Sequence, residues 1–306
     1  MTASLSDAAG TFEMAGKKVA RLGSGAMRLT GPGVWGEPDD RREGVRVVRR
    51  AVGPGVQLID TADSYGPYVS EEIIREAIHP YRDDVLIATR AGLTRSGPDV
   101  IETADEGPVR LGPVAWPPVE RLEYLRRQAL MSLRRLGVDH IDLFQLHRID
   151  PAVPLEDQVG ELKRLQDEGS RTRARSLRSV GLSQVTIGQI EQVRAVVEVA
   201  TVQNRCNLTD RGSADVLENC TGHGIGFIPW APVAAGEPAR TGGPVDRIAT
   251  THHAAPSQVA PAWLPARSRV VLPIPGTSKV AHLEENLAAA PLRLSDAESD
   301  ELTAAA

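Results

Sequence analysis

The 306-residue chain is 41% hydrophobic and 25% charged, with a net charge of −5 at pH 7. That balance is ordinary for a chain able to bury a sizeable core, and no basic run suits nucleic acid or an anionic membrane surface as partner. No apolar stretch approaches the roughly 18–20 residues that span a bilayer.

The small, polar start lacks the apolar core of a secretory signal, so a flexible segment over 1–10 and a cytoplasmic location are expected. Thr11-Phe12-Glu13-Met14 and Val19-Ala20-Arg21-Leu22 flank Ala15-Gly16-Lys17-Lys18 and read as a hairpin covering one end of the fold. From there apolar runs alternate with amphipathic segments. Strands are predicted at 21–26, 56–60, 85–89, 141–146, 179–183, 199–203, 225–230 and 270–274. Helices are predicted between them at 40–52, 70–79, 118–136, 155–168, 186–198, 213–223, 244–253 and 279–289. Leu122, Leu125, Ala129, Leu133 and Leu136 carry the 3.6-residue period, and Ser70 before Glu71 and Glu72 reads as an N-cap. Pro256-Ser257 opens an extra helix before the last strand, which Pro261 and Pro265 should kink, shorten or make irregular. Eight strand–helix units in one chain predict a single (β/α)8 TIM barrel over 11–306, with a doubly wound open sheet as the competitor.

Cys206 and Cys220 form neither a disulfide framework nor a metal-ligand spacing, so buried thiols and no metal are expected. The side chains capable of proton chemistry follow strand ends: Asp60 with Tyr65, Arg90, and His147 with Arg148. In a barrel those positions meet at the C-terminal face. Each alone reads as a cap, turn or core residue. Together they supply what hydride addition to a carbonyl needs: a phenol as acid, a cation to depress its pKa, a carboxylate to hold the cation and an imidazole to orient the carbonyl.

The runs LIDTADSYG (58–66) with SEEIIREAI (70–78), IDLFQLHRID (141–150), GLSQ (181–184), VQNRCNL (202–208), GFIPWAP (226–232) and LPIPGTSKVAHLEENL (272–287) resemble the aldo-keto reductase family across nearly the whole chain. The resemblance implies a reductase acting on an aldehyde or ketone, with Asp60, Tyr65 and His147 in the catalytic tetrad and Tyr65 as proton donor. It further implies that Ser183, Gln184 and Gln203 bind the carboxamide of a nicotinamide, with Trp230 stacking on its ring. Gly276, Thr277, Ser278 and Lys279 would bind phosphate at a helix start, and Glu285 and Asn286 would meet adenine. His282 stands where an arginine commonly meets the 2′-phosphate; NADPH is favoured and NADH left open. Trp35, Tyr68, Trp116 and Arg148 are expected to line the mouth of the substrate pocket.

Arg90 occupies the family's lysine position. Its planar fork differs from a compact ammonium, so weakened or specialised turnover is expected. The basic segment 169–181 is longer than the family's connection and reads as a solvated loop whose Arg171, Arg173 and Arg175 could meet an anion. Two other functions remain open: a cofactor-binding sensor or regulatory protein without turnover, and a non-redox acid–base enzyme using the same pocket. A small-molecule partner and a monomer are the default expectations.

Overall fold

The structure is a computed structural model describing residues 4–97, 101–104, 107–110, 116–119, 121–172, 176–231 and 242–305. Along the chain the strands are β1 (Thr11–Met14), β2 (Lys17–Ala20), β3 (Ser24–Gly25), β4 (Leu58–Asp60), β5 (Leu86–Ala91), β6 (Ile101–Ala104), β7 (Gly107–Arg110), β8 (His140–Leu146), β9 (Ser176–Ser183), β10 (Val199–Gln203) and β11 (Gly226–Phe227). The helices are α1 (Leu5–Ala9), α2 (Arg41–Val52), α3 (Val69–Ile78), α4 (Leu122–Leu136), α5 (Leu155–Thr172), α6 (Ile187–Arg194), α7 (Ala214–His223), α8 (Pro244–Thr251), α9 (Pro256–Arg267), α10 (Val280–Leu287) and α11 (Asp296–Ala304).

Seven strands form one parallel sheet in the order β11-β10-β9-β8-β5-β4-β3. The run 270–276 closes it. At one edge Phe227 of β11 exchanges backbone bonds with this run: its N–H donates to Val270 O and its carbonyl accepts from Leu272 N–H, both at 2.8 Å. At the other edge, Gly23 N–H donates to Pro273 O (2.9 Å) and Gly25 N–H to Pro275 O (3.3 Å). Pro273 and Pro275 have no N–H to return, so the predicted eighth strand is a run of isolated pairings rather than a regular ladder. Gly25 and Gly276 pair at this seam, and a Cβ on Gly276 would lie 2.8 Å from Gly25 O, so a side chain would force the seam apart.

Alternation along the strands sorts the core. Leu58, Leu86, Ala88, Leu143, Leu272 and Ile274 fill the barrel's lower interior together with Met14 and Val19 of the hairpin. Phe144, Leu146, Val180 and Leu182 face the surrounding helices instead. Hairpin β1–β2 thus plugs the bottom as predicted, and Lys17 fixes it there through Val85 O (2.6 Å) and Asp142 Oδ2 (3.0 Å).

Several local readings change. Within the segment read as a flexible start, α1 is capped by Ser4 and Asp7, and Leu5 is buried. Ser70 is not an N-cap: α3 starts at Val69 after Tyr68 in left-handed geometry (φ 75°), and Ser70 Oγ donates to Ala26 O at 3.1 Å inside the fold. Helix α9 runs without a break through Pro261 and Pro265, its interior prolines offset by burial of Val259, Ala260, Trp263 and Leu264. Helix α5 extends into the basic segment, whose side chains over 169–175, including Arg171, Arg173 and Arg175, lie outside the described residues. A hairpin of β6 and β7 follows β5, and α11 lies beyond the last predicted helix. Both thiols are buried, with Cys220 pushed up to about 12 by burial. No helix among the described residues is long and apolar enough to cross a membrane.

Candidate active site

Five neighbouring strands deliver polar side chains at their C-terminal ends. Asp60 ends β4, Arg90 is the penultimate residue of β5, His147 directly follows β8, Ser183 ends β9 and Gln203 ends β10. Along β4, β5 and β8 the inward positions change from apolar to polar: Leu58 to Asp60, Leu86 and Ala88 to Arg90, Leu143 to Gln145. The same period that packs the bottom therefore builds the site above it.

Arg90, only 3% exposed, is the hub. Its Nη1 donates to Asp60 Oδ1 at 2.5 Å, its Nη2 to the Tyr65 hydroxyl, and its Nε to His147 Nε2 at 3.2 Å. Asp60 Oδ2 accepts from Gln145 Nε2 (3.2 Å) and Gln203 Nε2 (2.9 Å), so the buried carboxylate is held from both sides. Gln145 pairs in register with Arg90 on one side and Gly181 on the other. A Cβ on Gly181 would lie 2.4 Å from Thr201 Oγ1 and 2.8 Å from Gln145 Cγ. Glycine is required there because Gln145 and Thr201 meet across it, Thr201 Oγ1 donating to Gln145 Oε1 at 3.3 Å.

The network dictates where protons sit. A guanidinium only donates, so both the Tyr65 oxygen and His147 Nε2 accept from Arg90. The Tyr65 hydrogen is left to point elsewhere, while the His147 proton resides on Nδ1, 3.4 Å from Ser64 Oγ. Burial, then the charges of Arg90 and Arg148, pull His147 well below its ordinary pKa and keep it neutral. Burial also holds the Tyr65 phenol above its ordinary pKa, outweighing the opposing charge of Arg90. Arg90 does pull the Tyr65 pKa down as expected, but burial together with the Asp60 charge outweighs it. Burial disfavours charge on Arg90 itself, but Asp60 and Tyr65 more than compensate and raise its pKa. Behind this group Asp63, 1% exposed, is driven well above the carboxylate range by burial and then by Glu71, whose own carboxylate pairs with Arg135 at 2.5 Å.

Trp116 stands edge-on to Tyr65 (ring centroids 6.3 Å apart) and to His147 (6.3 Å). Arg95 lies over Trp116 at 3.6 Å and Trp35 at 5.7 Å, joining both predicted pocket tryptophans. Arg148 bonds His147 O (2.9 Å) and Ser183 Oγ (3.2 Å). Tyr68 is the exception among the predicted pocket residues: it is 40% exposed, and its ring packs under Arg135 at 4.2 Å. The cavities of about 500 Å³ between α3 and α4, and about 240 Å³ beside α9, lie away from the tetrad.

The predicted nucleotide-binding residues divide. Gln203 joins Asp60 through its amide nitrogen. Gln184, exposed, uses its side-chain oxygen to hold Trp230 Nε1 (2.8 Å) and Arg205 N–H (2.7 Å), and Arg205 lies over the Trp230 ring at 5.3 Å. At the start of α10, Thr277 Oγ1 accepts from Lys279 N–H at 3.1 Å, with Gly276, Ser278, Lys279 and His282 exposed. Glu285, expected to meet adenine, has its carboxylate accepting from Ser257 Oγ and its carbonyl from Gln258 Nε2. Asn286 is half-buried on the same helix. A carboxylate unforeseen in the sequence, Glu43 of α2, accepts from Val280 N–H at 3.0 Å where phosphate was expected.

Sequence reasoning also missed Gln145, Ser64, Thr201 and Arg95. Gln145 and Thr201 act only through neighbours brought by strand pairing, and Ser64 through a loop that meets His147 at the barrel mouth. Arg95 could have been noticed as a cation just beyond β5.

Residues 21–306 match the aldo/keto reductase family. The chain belongs to that family. An uncharacterized oxidoreductase of Schizosaccharomyces pombe is 45% identical over 287 residues, covering 94% of this chain and 87% of that protein. Pyridoxine 4-dehydrogenase of Escherichia coli is 38% identical over 292 residues, covering 94% of each. Among solved structures, a thermostable aldo-keto reductase in complex with the inhibitor epalrestat superposes with a TM-score of 0.77 at 27% identity, covering 97% of this chain and 99% of that one. An aldo-keto reductase of Klebsiella pneumoniae in complex with NADPH shares the fold at a TM-score of 0.74 and 22% identity, covering 99% and 94%. The chain is thus an NAD(P)H-dependent oxidoreductase of the carbonyl-reducing aldo/keto reductase family, and its barrel is of the family's TIM type.

Proposed function

We propose that this aldo/keto reductase reduces a small aldehyde or ketone to the alcohol with NADPH, and does so slowly because Arg90 stands at the lysine position. The observation that carries the reading is the three-way engagement of Arg90 with Asp60, Tyr65 and His147.

The donors at the strand ends and along α10 fit a nicotinamide dinucleotide: the Ser183 hydroxyl, the Gln203 amide, the half-buried Trp230 indole, and the exposed Lys279 and His282 for phosphate. When bound, that group supplies the hydride that converts the carbonyl to the alkoxide level. Tyr65 delivers the proton to oxygen, and Arg90 stabilises the phenolate left behind. Asp60, held by Gln145 and Gln203, keeps Arg90 aimed at Tyr65. Trp116 and Trp35, bridged by Arg95, border the site. The handicap lies in His147: with Nε2 accepting from Arg90, it has no proton there to donate to the substrate oxygen.

Pyridoxal is the first substrate to test, given the relative named pyridoxine 4-dehydrogenase. Loss of cofactor absorbance with pyridoxal and a panel of simple aldehydes, each supplied with NADPH or NADH, tests the assignment. Absence of turnover together with tight NADPH binding, read by Trp fluorescence, would favour a second reading: a cofactor-responsive protein without turnover. The tie between Arg90 and His147 supports that alternative.

A further inference from the structure

Arg148 follows His147 immediately and lies half-buried at the top of the barrel. Its described hydrogen bonds go to neutral oxygens, His147 O at 2.9 Å and Ser183 Oγ at 3.2 Å. Among the described residues no carboxylate lies within ion-pair distance of it. The buried carboxyls of the site are otherwise engaged: Asp60 is paired with Arg90, Glu71 with Arg135, and Asp63 is held toward its neutral form. Burial and the neighbouring Arg90 charge both oppose the Arg148 cation, and its pKa is lowered accordingly. A half-buried guanidinium without a counter-ion is costly, whereas an oxyanion accepted by its fork would offset that cost.

We propose that Arg148 seats an anionic group of the substrate, so that the carbonyl compounds this chain prefers carry a carboxylate or a phosphate. The proposal rests on the reductase reading for its chemistry, but the binding site it describes does not require turnover. The anion would lie beside His147, close to where Tyr65 meets the carbonyl oxygen. Trp116, edge-on to both Tyr65 and His147, would border the body of a flat substrate.

Benzaldehyde, 4-carboxybenzaldehyde and 4-formylphenyl phosphate, each with NADPH, form the test set. In the wild type, kcat/KM for the better charged aldehyde should exceed that for benzaldehyde by about 10- to 100-fold, the worth of one charge-assisted bond. In Arg148→Gln that ratio should fall toward one, and Arg148→Lys, which keeps charge but loses the fork, should lie between. The better of the two charged arms names the group. A parallel binding series without turnover compares benzoate and phenyl phosphate with benzyl alcohol by Trp fluorescence, with and without NADP⁺. If no aldehyde is reduced while an anion still binds at least tenfold better than benzyl alcohol in the wild type alone, the reductase reading fails and the anion seat stands. A charged-to-neutral ratio near one in the wild type, or one preserved in Arg148→Gln, overturns the proposal. The latter result with weakened NADP⁺ binding would assign Arg148 to the cofactor instead.

Discussion

Replacing Arg90 by lysine should speed carbonyl reduction. The guanidinium reaches three acceptors at once, Asp60, Tyr65 and His147. A lysine ammonium can hold Asp60 and Tyr65 but surrenders the bond to His147 Nε2, freeing that nitrogen to carry a proton toward the substrate oxygen. One donor aimed at a developing oxyanion is worth about 10²–10³ in rate. Arg90→Lys should therefore raise kcat/KM for pyridoxal or simple aldehydes by about a hundredfold, with the NADPH dissociation constant little changed. The fold should weaken by roughly 1–3 kcal/mol, because a buried acceptor loses its charged partner. Steady-state rates with NADPH, fluorescence titration and urea unfolding measure the three quantities. The variant should also lose activity at alkaline pH as its lysine deprotonates, whereas the arginine keeps its charge. Equal, high rates in both proteins, or a slower variant with unchanged stability, would refute the reasoning.

Asp63→Asn should stabilise the protein by about 1–2 kcal/mol at pH 7, since it removes a buried carboxyl whose Oδ1 lacks a hydrogen-bond partner among the described residues. The sign follows from linkage: the folded pKa lies above the unfolded value of about 4, so the stability linked to protonated Asp63 is complete below that value and is lost as pH rises through the folded pKa. Urea midpoints of the two proteins should thus converge near pH 4, and a variant less stable at pH 7 would contradict this. Gly181→Ala should lower stability by about 1–3 kcal/mol and depress activity, because its Cβ must displace Thr201 or Gln145 and thereby loosen Asp60; unchanged unfolding and kcat would show that the crowding relaxes without cost. Glu43→Gln should strengthen NADP⁺ relative to NAD⁺ by about two- to fivefold, since one negative charge leaves the start of α10 and Lys279. Fluorescence titrations at low salt measure this ratio, and an unchanged value would place the 2′-phosphate elsewhere.

The fold was legible because each strand segment combines β-branched or apolar residues with a helix-period neighbour, as β8 and α4 do. What the sequence hid lies in pairings between distant segments. The alternation of Leu143 and Gln145 marks an inward face, but only the register Arg90–Gln145–Gly181 turns Gln145 into a partner of Asp60. Pro273 and Pro275 argue locally against a strand, yet Gly23 and Gly25 need only their carbonyls. The prolines of α9 argue locally against a helix, and its buried face overrides them. Ser70 carries a capping side chain, but Thr61 and Ala26 claim it inside the fold. Ser295 and Glu298, by contrast, carried a readable capping box for α11 that the sequence reading passed over.

The arginine at the lysine position is accommodated more completely than its size alone suggests. The charge that a compact ammonium would present to Tyr65 and Asp60 is retained, and the longer fork gains His147 as a third partner. That contact sets the His147 tautomer, with Nε2 accepting from Arg90. Burial meanwhile keeps the Tyr65 phenol above its ordinary pKa despite the adjacent cation. On the proposed reading, proton donation and carbonyl orientation, which the family motif joins in one tetrad, would thus be separated, with Tyr65 keeping its proton and His147 Nε2 occupied by Arg90. On that reading carbonyl orientation would come from outside the four. Arg148, charged and lacking a described counter-ion beside His147, would supply it by holding the substrate's anionic group, as proposed above.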